Sequence, residues 1–253
     1  MEKQVKKQKK TAIAVILAIC LMSSLFVTAF TQVQRVENNR KRAAVPIPAQ
    51  SLFELCADAV FFIETFDIEG EEIRTGSGFF ISDTGLAVTI LHVLDDAASA
   101  RITTKNGDEY AVLGVAASSW EFNLALLLID AEDISFSYLE LGDSDLLQTG
   151  NTIYTIGNPL GYTSTMTAGI IGKTERLVDG QTLIQFTAPI SFGSGGSPLI
   201  NSVGLVIGLA SSSFSYGQNL NLAVPVNRVK ELEPGDCVPL ESLLQVEESN
   251  VDN

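Results

Sequence analysis

One histidine and three cysteines are all the imidazole and thiol side chains that 253 residues offer. His92 stands alone, and Cys20, Cys56 and Cys237 lie far apart, so no zinc site of the Cys/His kind can be assembled. No cofactor is implied either: no Gly-Lys-Ser/Thr follows the Gly/Ser-rich stretch at 193–197, and with a strongly acidic body a phosphate-binding loop there is set aside. Positive charge is scarce beyond the N-terminal region. Residues 1–42 carry nine Lys/Arg against two acids, whereas the remainder carries seven against 28. A body that acidic repels a phosphate backbone and argues against nucleic-acid binding. Long amphipathic helices are missing too, which argues against parallel βαβ units. What the chain has in quantity is apolar residues, 46 %, enough for a substantial core and incompatible with wholesale disorder.

Five lysines within residues 1–10 are followed by residues 11–30 without a charge. Twenty such residues span a bilayer core of roughly 30 Å as a helix. The spacing therefore predicts a basic cytoplasmic tail at 1–10 and a single transmembrane anchor at 11–30, with the rest of the chain on the extracytoplasmic side. A cleaved signal is the alternative, with Val27-Thr28-Ala29 as the cleavage site. The bulky Ile19 before Cys20 argues against lipidation. Residues 31–50, polar and basic and then holding Pro46 and Pro48, read as a tether. Residues 51–237 form the body, and 238–253 an acidic tail.

Within the body, apolar runs recur at 59–65, 78–82, 86–91, 111–115, 124–129, 152–156, 183–187, 204–209 and 220–224. Five to seven residues rich in β-branched and aromatic types, separated by turn formers such as Asn106-Gly107-Asp108, predict an all-β sandwich or barrel. Helix is expected only at 51–57, around 226–232, and at 240–246. Cys56 and Cys237 close the two ends of this body; they are either a disulfide or two separate thiols.

Five segments carry chemistry when taken in order. They are Gly76-Ser77-Gly78-Phe79-Phe80-Ile81, Val88-Thr89-Ile90-Leu91-His92-Val93, Phe122-Asn123-Leu124-Ala125-Leu126-Leu127, Ile156-Gly157-Asn158-Pro159-Leu160-Gly161, and Gly193-Ser194-Gly195-Gly196-Ser197-Pro198-Leu199-Ile200-Asn201. This ordered set resembles the trypsin-like serine proteases of the HtrA/Deg type over residues 58–232. The resemblance implies a chymotrypsin-like fold of two antiparallel β-barrels with a cleft between them, acting on polypeptides. It places His92 at the catalytic base. It also implies that an extended peptide adds as a strand beside the segment after Ile207, at Gly208, Leu209, Ala210 and Ser211.

Two positions depart from the family pattern. The acid that orients the base is replaced by Asn123, which carries no charge to stabilise an imidazolium and whose NH2 can hold the wrong tautomer. In serine proteases that Asp→Asn change lowers kcat about 10⁴-fold, or about 5.5 kcal/mol. Glu121 is the nearby spare carboxylate, although two residues along a strand edge it should point elsewhere. At the nucleophile, an ungapped reading from Pro198 puts Gly195 where serine belongs. Sliding by one makes Ser194 the nucleophile, with Gly193 and Ser194 backbone in the oxyanion hole, but sets Phe192 where a glycine is needed. Ser197 is the third hydroxyl of the loop. Two expectations follow: a pseudoprotease that binds polypeptides, or an active endopeptidase using His92 and Ser194.

Overall fold

The computed structural model describes residues 45–131, 134–158, 164–211 and 220–243. Helix α1 (Ala49–Cys56) opens the body, and its Leu52 and Cys56 are buried. Ile47 before it donates its backbone N–H to the Ser202 carbonyl at 2.8 Å, so the body already includes residues ahead of Ser51.

Six strands follow: β1 (Val60–Phe66), β2 (Glu72–Phe80), β3 (Leu86–Ile90), β4 (Ser99–Thr104), β5 (Glu109–Ser119) and β6 (Leu124–Ile129). They close into a barrel in the order β1-β2-β3-β6-β5-β4. The second six are β7 (Thr152–Gly157), β8 (Thr165–Val178), β9 (Gln181–Phe186), β10 (Pro198–Asn201), β11 (Val206–Ser211) and β12 (Asn221–Pro225). They close in the order β10-β11-β12-β9-β8-β7. All pairings between these twelve strands are antiparallel, so the fold is all-β with two closed barrels.

Three apolar clusters explain why the runs read as they do. Phe61, Ile63, Phe80, Ala87, Ile102, Ala125 and Leu127 fill the first barrel, where Phe80 stacks on Phe136 at 4.1 Å. Ile153, Ile171, Ile184, Phe186, Leu199 and Ile207 fill the second. The third cluster joins residues of both barrels and α1, among them Leu52, Phe79, Val88, Leu126, Ile156, Leu209 and Val226. In β6, Leu124 and Leu126 face this shared layer while Ala125 and Leu127 face the barrel interior. A strand buried on both faces has no reason to alternate, hence the continuous apolar run.

Strands β4, β8 and β10 were outside the runs singled out by sequence. The fourteen residues of β8 are mostly half-buried or exposed, so polar residues such as Lys173, Glu175 and Arg176 interrupt any apolar run. The expected helix at 51–57 is α1, and that around 226–232 is a 3-10 segment, Val226–Glu231. Cys56 and Cys237 are separate thiols, which corrects the disulfide alternative. Cys56 is buried in the shared layer, whereas Cys237 is exposed beside Gly114 on β5. Val238 pairs with Val115, and Leu240 is buried in the first barrel's cluster, so the C-terminal tail begins as part of the body. Among the described residues no helix is long and apolar enough to cross a membrane; residues 11–30 lie outside them.

Candidate active site

His92 sits in the 3-10 turn Leu91–Leu94 that ends β3. Leu91, Val93 and Leu94 are buried around it, which leaves the half-buried imidazole as the side chain facing outward. Behind this turn, Arg74 donates to the Asp95 carbonyl and pairs with the Asp96 carboxylate at 3.1 Å, holding the chain where Asp96 takes a left-handed φ of 62°.

Asn123 ends a turn from Trp120 and also adopts a left-handed φ, 54°, a conformation that Asn and Asp tolerate better than other L-residues. Three contacts tie it to His92. Its carbonyl accepts from Leu91 N–H at 3.1 Å, its Oδ1 accepts from His92 backbone N–H at 2.9 Å, and its Nδ2 lies 2.9 Å from His92 Nδ1. The second contact decides the third. A backbone N–H can only donate, so the amide must turn its oxygen toward it. The NH2, which can only donate, is then turned onto Nδ1, and Nδ1 is thereby the acceptor. The neutral imidazole therefore carries its proton on Nε2. A carboxylate in the same place would accept from both the backbone and Nδ1–H and leave Nε2 as the base.

The His92 pKa lies below the ordinary imidazole value, chiefly because burial disfavours the charged ring, with the Arg74 charge lowering it further. A ring hydrogen bond to the Asn123 oxygen would oppose this. The amide orientation just derived offers its NH2 instead, so the contact favours the neutral ring as well.

The Gly/Ser loop is held by its backbone. Left-handed φ values of 84° at Gly193 and 87° at Gly196 require glycine, and a Cβ at Gly196 would lie 2.1 Å from the Ser77 carbonyl. Phe192 is not left-handed and its side chain is 86 % exposed. The left-handed position of the ungapped reading, Gly193, is thus where that geometry occurs. Ser194 is buried, and its Oγ accepts from Ser191 N–H at 3.2 Å within its own loop. Ser194 N–H donates to the Ser191 carbonyl at 3.0 Å and is already spent as a donor, which corrects its expected part in an oxyanion hole. Ser197 is fully buried, with its Oγ packed against Gly157.

Ser77 was quoted in sequence only as part of a motif, and the structure makes it the link between the two halves. Its N–H donates to the Gly195 carbonyl (2.8 Å) and its Oγ to the Gly193 carbonyl (2.8 Å). The same Oγ accepts from Asn158 N–H (3.0 Å), and its carbonyl accepts from Thr89 Oγ1 (2.8 Å), three residues before His92. Next to it, a Cβ on Gly76 would stand 2.7 Å from Val93 Cγ2 and 3.2 Å from the Gly195 carbonyl, so glycine lets β2 pass between the His92 turn and the loop.

Two expected site elements are not brought to this place. Glu121 is exposed; its carbonyl accepts from Gln181, and the residue lines a separate cleft of about 250 Å³ with Phe122, Asp179 and Arg228. Gly208, Leu209 and Ala210 pair with Pro225, Val224 and Ala223 of β12 on one side. On the other, β10 pairs with Gly208 and Leu209, and Ala210 exchanges hydrogen bonds with Gly196 and Ser197. Both edges are full, so no extended peptide can add along Gly208–Ala210. Ser211 is the last paired residue before 212–219, which lie outside the described residues.

Comparison with known proteins gives the same reading of fold and motifs. The chain spans 28–40 % of the length of two curated relatives it matches. HhoB of Synechocystis sp. is 34 % identical over 64 % of this chain and 40 % of its own length. The DegP-like periplasmic serine endoprotease of Chlamydia trachomatis is 38 % identical over 55 % of this chain and 28 % of its own. The solved structure of the HtrA-type protease AlgW with tripeptide superposes with a TM-score of 0.66 at 30 % identity, covering 73 % of this chain and 62 % of that one. The trypsin-like peptidase domain matches residues 76–209, just over half of the chain. With two closed antiparallel barrels, His92 ending β3 and the glycine-rich loop before β10, this chain belongs to the trypsin-like peptidase family, in its HtrA/Deg branch.

Proposed function

We propose that this protein is a pseudoprotease: a trypsin-like fold that binds extracytoplasmic polypeptides without hydrolysing them, tethered to the membrane by residues 11–30. The observation that carries this reading is the Asn123 amide. Its Oδ1 is committed to His92 N–H and its Nδ2 to His92 Nδ1, so the imidazole presents a donor where a base is required. The ungapped loop adds a glycine, Gly195, at the nucleophile position, and the one neighbouring serine turns its oxygen to Ser191. Losing the orienting charge alone removes about 10⁴-fold in kcat, and a missing nucleophile removes the covalent step. The AlgW structure, a relative seen with a tripeptide, supports polypeptide as the ligand class. The uncharged run after five lysines supports the anchor.

A fluorophosphonate probe tests the reading. The folded wild-type protein should not label and should not turn over casein. Labelling that Ser194→Ala removes would favour an active endopeptidase built on His92 and Ser194 instead. Because the chain has a single histidine, ¹⁵N NMR of protein without added histidines reports the tautomer directly. The protonated nitrogen should be Nε2.

A further inference from the structure

A cleft of about 250 Å³ lies between the turn that leads into Asn123 and the tip of the β8–β9 hairpin. The hairpin turns on Asp179 and Gly180, whose φ values of 48° and 81° fit a two-residue primed turn. The Gln181 amide donates to the Glu121 carbonyl and ties the two walls together. Buried Leu183 and Val224 and half-buried Phe122 and Pro225 give the cleft apolar surface. Its volume is below the roughly 300–1,000 Å³ of a small-molecule pocket and suits a single long side chain.

The charge of the lining is one-sided. Glu121 and Asp179 are exposed, and neither carboxylate has a hydrogen-bond or ion-pair partner among the described residues. Arg228 is the cation of the lining, and Glu231 already answers it. Its Nη1 donates to both Glu231 carboxylate oxygens, at 2.9 and 3.1 Å, and its guanidinium lies over the Phe122 ring, 4.5 Å from the centroid. The charges of Glu121 and Asp179 are therefore left uncompensated. Leu177, 73 % exposed, stands opposite Thr182 of the lining. Directly opposed residues share a sheet face, so an apolar side chain borders the cleft.

We propose that this cleft receives a lysine or arginine side chain of a bound polypeptide and selects basic segments with apolar residues beside the charge. The aliphatic stem packs on Phe122, Leu183, Val224 and Pro225, and the cationic head meets Glu121 and Asp179. Leu177 takes the apolar neighbour. The body, with 28 acids against seven Lys/Arg beyond residue 42, draws the same ligand from a distance. The proposal rests on the reading that the fold binds polypeptide. It seats part of that polypeptide away from the filled edges of Gly208–Ala210.

The test compares two heptapeptides, Ala-Leu-Ala-X-Ala-Leu-Ala, in which X is lysine or its Nε-acetyl derivative. Both carry a neutral fluorophore at the N-terminus and an amide at the C-terminus, so only the side-chain charge differs. Binding to the full-length protein is followed by anisotropy at pH 7.5. The lysine peptide should bind about three- to tenfold more tightly in about 50 mM salt, and the ratio should shrink in about 500 mM. Glu121→Gln with Asp179→Asn, checked for folding by circular dichroism, should bring the ratio near one; asparagine tolerates the left-handed φ at 179. Glu69→Gln with Glu71→Gln changes the net charge equally on an exposed turn outside the lining, and should leave the ratio as it is. Equal affinities in the wild type overturn the cation site and leave the polypeptide-binding reading intact. A lysine preference that survives Glu121→Gln with Asp179→Asn belongs to the overall charge and overturns the cleft as its site. Binding of neither peptide overturns the cation site. If reduced, carboxamidomethylated lysozyme, an unfolded basic chain, is also not bound, the polypeptide-binding reading falls too.

Discussion

The two sides of the cleft depart from the family pattern in opposite ways. On the first-barrel side, Asn123 holds His92 by bonds of 2.9 Å to both backbone and ring, yet its amide carries no charge and gives Nδ1 a donor in place of an acceptor. On the second-barrel side, the loop keeps its backbone course, with Gly193 and Gly196 in the left-handed conformation and Ser77 bonding two carbonyls, and lacks a side chain at Gly195. One region shows that geometry can persist while proton chemistry is reversed. The other shows that the course of the loop is held by the N–H and hydroxyl of Ser77 on a distant strand, with no side chain at Gly195.

The largest expected effect comes from repairing both sides. Gly195→Ser should supply a hydroxyl yet remain slow, because Asn123 still keeps the proton on Nε2. Adding Asn123→Asp should raise the rate of fluorophosphonate labelling by up to about 10⁴-fold over Gly195→Ser alone. An equal rate in the single and double variants would show that the two sides are no longer assembled.

Breaking the backbone side should cost stability. Gly196→Ala forces a left-handed alanine against the Ser77 carbonyl and should destabilise by about 3 kcal/mol or more in denaturant unfolding. Ser77→Ala removes the hydroxyl shared by Gly193 and Asn158 and should cost about 1–3 kcal/mol, since buried polar groups lose their partner. If Ser77→Ala were neutral, the link between the barrels would not hold the loop.

On the first-barrel side the effect is smaller and depends on pH. The folded-state pKa of His92 is lowered, so the unfolded chain binds more protons at mildly acidic pH. Stability should be full above the unfolded value, about 6.5, and fall as pH drops through it toward the folded value, by about 1.4 kcal/mol per unit of separation. His92→Gln should flatten that part of the pH–stability curve, and an unchanged slope would place the titration elsewhere. The smallest effect concerns the thiols. In native protein Cys237 should alkylate readily. Cys56, whose thiol burial pushes up to about 11, should react only on unfolding, as read by peptide mass spectrometry.

Much of this was legible in the sequence because it rests on local information. The apolar runs of β1, β3, β6, β7, β9 and β12 report burial residue by residue, and the order of the Gly-Ser-Gly-Phe, His92, Asn123 and Gly/Ser segments carries the family. The departures at Asn123 and Gly195 are visible as plain residue identities. The long β8 was not legible, since a strand with few buried residues leaves no apolar run.

What only the tertiary structure decided depends on partners distant in the chain. Asn123 could have offered His92 its oxygen or its NH2, and the choice falls to a backbone N–H 31 residues away. Gly208–Ala210 looked like a free edge until β12 filled one side and β10 with the Gly/Ser loop the other. Ser77, 116 residues from Gly193, shows its role only when the two barrels meet. Hydrogen bonds are directional and one-to-one. A residue type states which bonds are possible, and the folded neighbours determine which of them is made.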